Sequence, residues 1–482
     1  MENKKLLSLL LALCCAVVAS AKNPKYVFYF ISDGTGVNIV QGAEHYRADI
    51  KAFPVAEGVE MVNANAPFLF SQFPVVGMAT TYSASSRVTD SAASGTALAT
   101  GHKTDNGCIS VLSDKKTPVY SIAKAAKQLG MAVGVATSVT VNHATPAAFY
   151  ANAASRSSYH EIGHQLVDCD FVDFFGGSAI AKASSDKCDM EKSLYDVAVA
   201  KGFAVCRGAA EYDKKAASAK KMLLIQPEGQ DDNSLSYVID RKPGDMTIEE
   251  IVERELDFLV KKDNGKGFFL MNEIGGKVDW ADHSKDAATA FAELEAVNRC
   301  VEIAYKFYQQ HPDETLIVLT SDHDTGGPSL GNGKYEMNLN ALQSQKISKD
   351  KYTDFLNDLR KKNDNNVTWE QVRQSLEELW GFWTVHKLTE KQEKLLKDTY
   401  EKAFNSAEGK KTEKSEYKSN DIMSSVACSV LSQIAMIQYA HGTHTGGYVP
   451  VYAVGVGADE FKSMNDNTTI PRKLASIIGA KM

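Results

Sequence analysis

Short apolar runs, rich in β-branched or aromatic residues and ending in dense polar loops, constrain this chain more than any other feature. The clearest runs are residues 26–31, 132–137, 267–271, 315–320 and 449–454. Runs this short, bounded by turn residues, read as buried strands. They alternate with helical patterns, of which 121–128, closed by Gly130, and 286–310 are the plainest. Strands and helices in alternation predict an α/β fold: a central, mostly parallel sheet sandwiched by helices. The loop SDGTG follows the first of these runs, NEIGGKVDWADH the third and SDHDTGG the fourth. Ligands of open α/β sheets bind at the carboxyl ends of strands, so one site fed by several loops is expected there.

Residues 328–440 break the alternation. They are rich in lysine and glutamate, carry the helical patterns VTWEQVRQSLEELWGFW and LTEKQEKLLKDTYEKAF, and become more apolar over 421–440. They read as a helical insertion into a single catalytic domain spanning 22–482, one that either shapes access to the site or is a solvated decoration. The first 21 residues have a short basic start, an apolar run from Leu6 to Val18 and the small-residue site Ala19-Ser20-Ala21. That is the pattern of a cleavable signal peptide, which predicts export to a periplasmic or extracellular location. Leu13 stands before Cys14, where a lipid-bearing cysteine would have a small residue, so a lipid anchor is disfavoured. No later stretch has the ~20 apolar residues of a membrane span.

The chain of 482 residues carries a formal charge of −7. Acidity argues against bulk nucleic-acid affinity. Its cysteines include no CxxC pair, so a cysteine zinc site is not expected. Export would permit disulfides, with Cys169 and Cys188 as the pair to test.

Asp33, Asp279, His283, Asp322, His323 and His444 lie in Gly- or Asp-rich loop contexts beside strands. Aspartate with histidine is a ligand set that suits zinc without cysteine, and there are enough ligands for two ions. Any one of them alone would be read as a turn residue or a satisfied polar group. The segment SRVTDSAASGTALATG is dense in hydroxyls ahead of a helix-compatible run, where helix N-terminal N–H groups can receive an anion. Ser91 is therefore a candidate nucleophile, although taken in isolation Ser91, Ser94 and Thr96 read more simply as helix-capping hydroxyls. A serine hydroxyl needs a base or a metal to react at neutral pH.

Six motifs in order resemble those of the alkaline phosphatases: YVFYFISDGTG, VTDSAASGTALATG, NHATPAAFYANAASR, GGKVDWADH, SDHDTGG and THTGG. The resemblance implies hydrolysis of phosphate monoesters through a phosphoserine at Ser91, with Arg156 gripping the phosphate oxygens. It implies one Zn2+ on Asp279, His283 and His444, and a second on Asp33, Asp322 and His323. A third ion, Mg2+, would use Asp33, Thr145 and Glu273, an oxygen set suited to a hard cation. A homodimer is also what the resemblance implies.

Three positions depart from the pattern. His143 stands where the bacterial archetype has aspartate, and Trp280 replaces a lysine or histidine, offering an aromatic wall or a packing residue. Ile274 separates Glu273 from the two glycines; a one-residue bulge would keep Glu273 at the third site, with Asn272 as the fallback ligand. Asp90 and Asp282 are expected to orient Arg156 or bound water, or else to be loop carboxylates facing solvent, and His441 to be structural or to stand behind a ligand. His102 and His160 have no metal-like partners in sequence. The competing readings are a phosphodiesterase or sulfatase of the same superfamily and a non-catalytic phosphate- or metal-binding protein. A sulfatase would need C/S-x-P-x-R, which Ser91-Ala92-Ala93-Ser94-Gly95 does not supply.

Overall fold

The computed structural model describes residues 23–50, 66–184, 193–333, 335–406, 413–414 and 419–482. The segment read as a signal peptide, and Cys188, lie outside the described residues. Ten strands form one sheet: β1 (Tyr26–Ile31), β2 (Val75–Thr80), β3 (Ala132–Thr137), β4 (Phe174–Gly177), β5 (Phe203–Arg207), β6 (Lys221–Ile225), β7 (Phe268–Glu273), β8 (Thr315–Thr320), β9 (Val449–Gly455) and β10 (Ser463–Asp466). The order across the sheet is β10-β2-β9-β8-β1-β7-β3-β4-β6-β5. All neighbours are parallel except β9, which runs antiparallel to both β2 and β8. The expected α/β architecture is what the chain adopts.

Side chains of β1 alternate between two helical layers, as the period of two requires. Tyr26, Phe28 and Phe30 enter one core, with the helices Val37–Asp49, Ile248–Lys262 and Ala287–Gln310. Val27, Tyr29 and Ile31 enter the other, with the helices Ser91–Thr100, Ile122–Gln128 and Thr469–Ile478. Both faces are covered, which explains why β1, β3, β7 and β8 are buried at every position.

Local chemistry sets the helix ends. Ser121 caps the helix Ile122–Gln128 by accepting from Lys124 N, and Asp286 caps Ala287–Gln310 by accepting from Thr289 N. Thr247 and Glu250 form a reciprocal capping box at Ile248.

The stretch 328–440 contains the helices Lys349–Lys362, Trp369–Trp380, Glu390–Asn405 and Ile422–Ala435. Their apolar faces, including Tyr352, Leu376, Trp380 and Met423, belong to the same core as Phe28 and Leu294. One buried ion pair locks this packing. Arg360 Nη2 donates to Asp421 Oδ2 at 2.7 Å and to Ala403 O at 3.3 Å, while Asp421 Oδ1 accepts from Met423 N at the start of the last helix. Truncating Arg360 would leave a fully buried carboxylate without its cation. Arg360→Ala is therefore expected to destabilise the protein by about 3–5 kcal/mol in urea unfolding.

Candidate active site

The register of the sheet brings the chemistry together. Ile31 pairs with both Glu273 and Thr320, and Thr137 pairs with Glu273, so β8, β1, β7 and β3 end side by side. Asp33 lies two residues past β1, Glu273 closes β7, and Asp322 and His323 follow β8. Gly34, at φ +74°, lets the first loop touch the helix Gly276–His283; a Cβ there would lie 2.6 Å from Asp279 Cα.

Ser91 is the first residue of a helix buried along its whole length. Asp90 caps that helix, its Oδ1 accepting from Ala93 N at 3.0 Å, and its Oδ2 receives Arg156 Nη1 at 3.2 Å. The same carboxylate thus fixes the Ser91 helix and aims the guanidinium. Arg156 Nη2 also lies 3.3 Å from His143 Nε2.

Two groups of candidate ligands lie close enough to share an ion, Asp33 with Asp322 and His323, and Asp279 with His323 and His444, the rings of His323 and His444 being stacked with centroids 3.5 Å apart; His283 stands beside the second group. His323 Nε2 is 3.3 Å from Asp33 Oδ1, 3.2 Å from Asp322 Oδ2 and 3.0 Å from Ser91 Oγ. His283 Nε2 is 3.4 Å from Asp279 Oδ2 and 3.2 Å from His444 Nε2, which lies 3.8 Å from Asp279 Oδ1. Ligands 2.0–2.1 Å from a tetrahedral ion stand roughly 3.3 Å apart, close to these separations. Each imidazole is oriented from behind. His283 Nδ1 faces Gly442 O and His444 Nδ1 faces Thr89 O, both at 2.9 Å, so Nδ1 carries the proton and Nε2 presents its lone pair inward. His323 Nδ1 lies 3.2 Å from Thr325 Oγ1, whose hydroxyl donates to Asp279 Oδ1 at 2.5 Å.

The third set is oxygen-rich. Thr137 Oγ1 donates to Glu273 Oε2, and Thr145 packs against the Ser91 helix, where a Cβ at Gly95 would meet Thr145 Cα at 3.2 Å. Neither Asp33 oxygen, nor Glu273 Oε1, nor Thr145 Oγ1 makes a hydrogen bond of ordinary geometry, although all are buried. Orphaned buried oxygens are costly unless a ligand satisfies them.

Electrostatics point the same way. Burial, reinforced by the charges of Asp322, Asp279 and Glu273, lifts Asp33 well above the carboxylate range. Burial pushes Glu273 up to about 7 and Asp322 up to about 6. Asp279 goes the other way: burial would raise it, but the imidazoles of His283, His444 and His323 hold it far down. Burial and then His444 depress His323, which stays neutral. Buried carboxylates crowded against one another, with a neutral His323 among them, call for cations.

The sequence departures resolve physically. The β7 ladder is unbroken through Glu273, so there is no bulge in the strand. Ile274 continues the alternation into the core beside Leu270, its N–H bonding Ile31 O at 2.9 Å, and the chain turns at Gly275, where a Cβ would meet Ser32 Cα at 2.5 Å. Asn272 faces the opposite layer and donates to Glu255 Oε2 at 2.6 Å, which rules it out as the fallback ligand. Asp282 does not orient Arg156; it points towards the insertion and accepts from Tyr439 OH at 2.8 Å. His441 is exposed and bonds Thr443 Oγ1 at 3.0 Å. His160 does have a partner, His164 Nε2 at 3.2 Å, one helical turn on. Cys108, Cys169, Cys206, Cys300 and Cys428 are free and buried. Thr325, Thr137 and Asn142 escaped the sequence reading because each supports other groups instead of facing the site; Thr325 and Asn142 stood inside recognised motifs, Thr137 did not.

The alkaline phosphatase family model matches residues 24–171 and 192–480. The chain belongs to the alkaline phosphatase family. It is 28% identical over 460 residues to alkaline phosphatase 3 of Bacillus subtilis, covering 93% of this chain and 88% of that one. It is 31% identical to an alkaline phosphatase of Schizosaccharomyces pombe over 64% of this chain; the match spans 57% of that relative's length, under two thirds. The crystal structure of a cold-active alkaline phosphatase from Shewanella sp. superposes with a TM-score of 0.74 at 29% identity, covering 94% of this chain and 99% of that one. As a member of this family the chain is a phosphomonoesterase, a hydrolase of phosphate monoesters.

Thr325 offers a direct check on the ligand geometry. Thr325→Val removes the hydroxyl between His323 and Asp279, and affinity for a divalent ion, measured by chelator competition, is expected to fall roughly 10–100-fold.

Proposed function

We propose that this phosphatase works through a phosphoserine at Ser91, with two Zn2+ ions and one Mg2+. The observation that carries the reading is the convergence of Ser91 Oγ, Asp33 and Asp322 on His323 Nε2, all within 3.3 Å, at the N-terminus of a buried helix. Asp279, His283 and His444 would hold one zinc, and Asp33, Asp322 and His323 the other. Asp33, Thr145 and Glu273 would hold the third ion; their orphaned oxygens and hard-donor chemistry fit magnesium. When bound, the ions lower the pKa of the attacking hydroxyls and neutralise charge on the entering and leaving oxygens.

The chain's own residues do the rest. Arg156, held by Asp90, forms a bidentate fork around two non-bridging phosphate oxygens. The Ser91 helix places its first N–H groups beside them. Ser91 Oγ forms a bond to phosphorus as the bond to the alcohol oxygen breaks, so the alcohol leaves first. Water then attacks phosphorus from the side the alcohol vacated, Ser91 Oγ departs, and phosphate is released with net retention. Thr145 and Glu273 favour monoesters over diesters in this reading, because the third ion they would hold adds charge compensation for a dianionic phosphoryl group.

We also propose export, from the pattern of the first 21 residues, and a homodimer. Among the described residues no helix is long and apolar enough to cross a membrane.

Ser91→Ala is expected to abolish the phosphoenzyme trapped from a labelled aryl phosphate; normal labelling of that variant would remove Ser91 from the role. Arg156→Ala is expected to weaken inhibition by inorganic phosphate roughly 10- to 100-fold, read as a rise in the inhibition constant. Unchanged inhibition would show that the guanidinium does not reach the phosphate.

A further inference from the structure

A cavity of about 660 Å³ opens beside the phosphate-binding residues, and the reaction as described makes no use of it. Its inner end is made by His143 and Trp280, whose rings stand edge to face with centroids 6.3 Å apart. His143 is the residue 3.3 Å from Arg156, so the cavity begins one side chain from the phosphate grip. Its walls carry Tyr159 and Tyr195, and two cations lie over these rings: Lys182 Nζ 5.9 Å from the Tyr159 centroid, and the Arg207 guanidinium 4.9 Å from that of Tyr195. Aromatic faces edged by hydrogen-bonding groups suit a planar, polar ring system.

The walls are tied to the catalytic loop. Asn142, fully buried and next to His143, donates to Tyr159 O at 2.8 Å and Ala181 O at 2.9 Å, and accepts from Ala181 N at 2.8 Å. Tyr195 OH is fixed by Ile180 N at 2.9 Å. Trp280 is backed by Lys277, whose Nζ lies 4.6 Å from its ring and bonds Ser234 Oγ at 2.7 Å. Among the described residues these walls are held from behind, which lowers the ordering cost of binding.

We propose that this cavity is a subsite for the alcohol portion of the substrate, and that it selects phosphate monoesters whose alcohol carries a heteroaromatic ring, the class of the nucleoside monophosphates. The assignment deepens the phosphomonoesterase reading and rests on it. The ring lies between Tyr159, Tyr195 and Trp280, and Lys182 and Arg207 meet its polar edge. A small alkyl ester such as glycerol 2-phosphate reaches the phosphate grip without entering the cavity.

The test uses the full metal-loaded chain and the rim substitution Ser184→Trp, which fills the cavity from an exposed position away from the phosphate. Two readouts are needed: kcat/KM for adenosine 5′-monophosphate against glycerol 2-phosphate, and calorimetric binding of adenosine, which has no phosphate. The expected result is a loss of roughly tenfold or more in kcat/KM for the nucleotide with glycerol 2-phosphate unchanged, together with loss of adenosine binding. Lys182→Ala should reduce nucleotide turnover in the same selective way. Equal values for both esters in the unmodified protein with no adenosine binding, or an equal loss for both esters in Ser184→Trp, would overturn the subsite while leaving the phosphatase reading intact. Adenosine binding that Ser184→Trp abolishes, in a protein that turns over neither ester, would uphold the cavity as a ring-binding site and overturn the phosphatase reading.

Discussion

Repulsion among four buried carboxylates is the constraint around which this molecule is organised. Asp33, Glu273, Asp279 and Asp322 meet at one end of the sheet because β8, β1, β7 and β3 stop in register and each strand delivers its polar loop to the same place. Buried, and packed around a His323 that burial keeps neutral, they form an arrangement that is costly by itself. The surrounding structure holds it in place: apolar layers on both faces, glycines where loops cross at van der Waals distance, and backbone carbonyls that turn His283 and His444 inward. A large core tolerates such a centre because the rest of the sheet is so thoroughly buried.

Much of this was legible in the sequence, for identifiable reasons. β1, β3 and β8 begin and end where the apolar runs do, since a strand covered on both faces must be apolar throughout. The edge strands β5 and β10 are half exposed, with sequences FAVCR and SMND that carry no comparable signal. Strand direction is not written in any run of residues: β9 reads like its neighbours yet lies antiparallel to both. The candidate ligands could be read because they lie in polar motifs at or near strand ends, whereas their supports could not. Thr325 and Thr137 matter through the atoms behind Asp279, His323 and Glu273, and Asn142, beside His143, by tying Tyr159 to Ala181.

Ile274 illustrates the difference between spacing and structure. An extra residue between Glu273 and the glycines suggests a bulge, yet alternation sends Ile274 into the apolar layer and leaves Glu273 at the site. Asn272 and Ile274 share one face and Glu273 the other, so the odd residue is absorbed by the turn at Gly275. Trp280 is likewise more than packing: with His143, which lies 3.3 Å from Arg156, it lines a braced cavity, so a departure one residue from Asp279 also shapes the space beside Arg156.

The most direct test of the central claim, that cations balance these carboxylates, is urea unfolding of the unmodified protein and of Asp33→Asn at pH 8, each with Zn2+ and Mg2+ and again after chelation. A carboxyl lifted by burial and like charges lowers stability as pH rises above its unfolded value, so without ions the substitution should stabilise the protein. With ions the same substitution removes a ligand and should destabilise it. A change of sign between the two conditions is the predicted result; destabilisation of equal size in both would contradict the account, because Asp33 would then be held by the protein rather than by the ions.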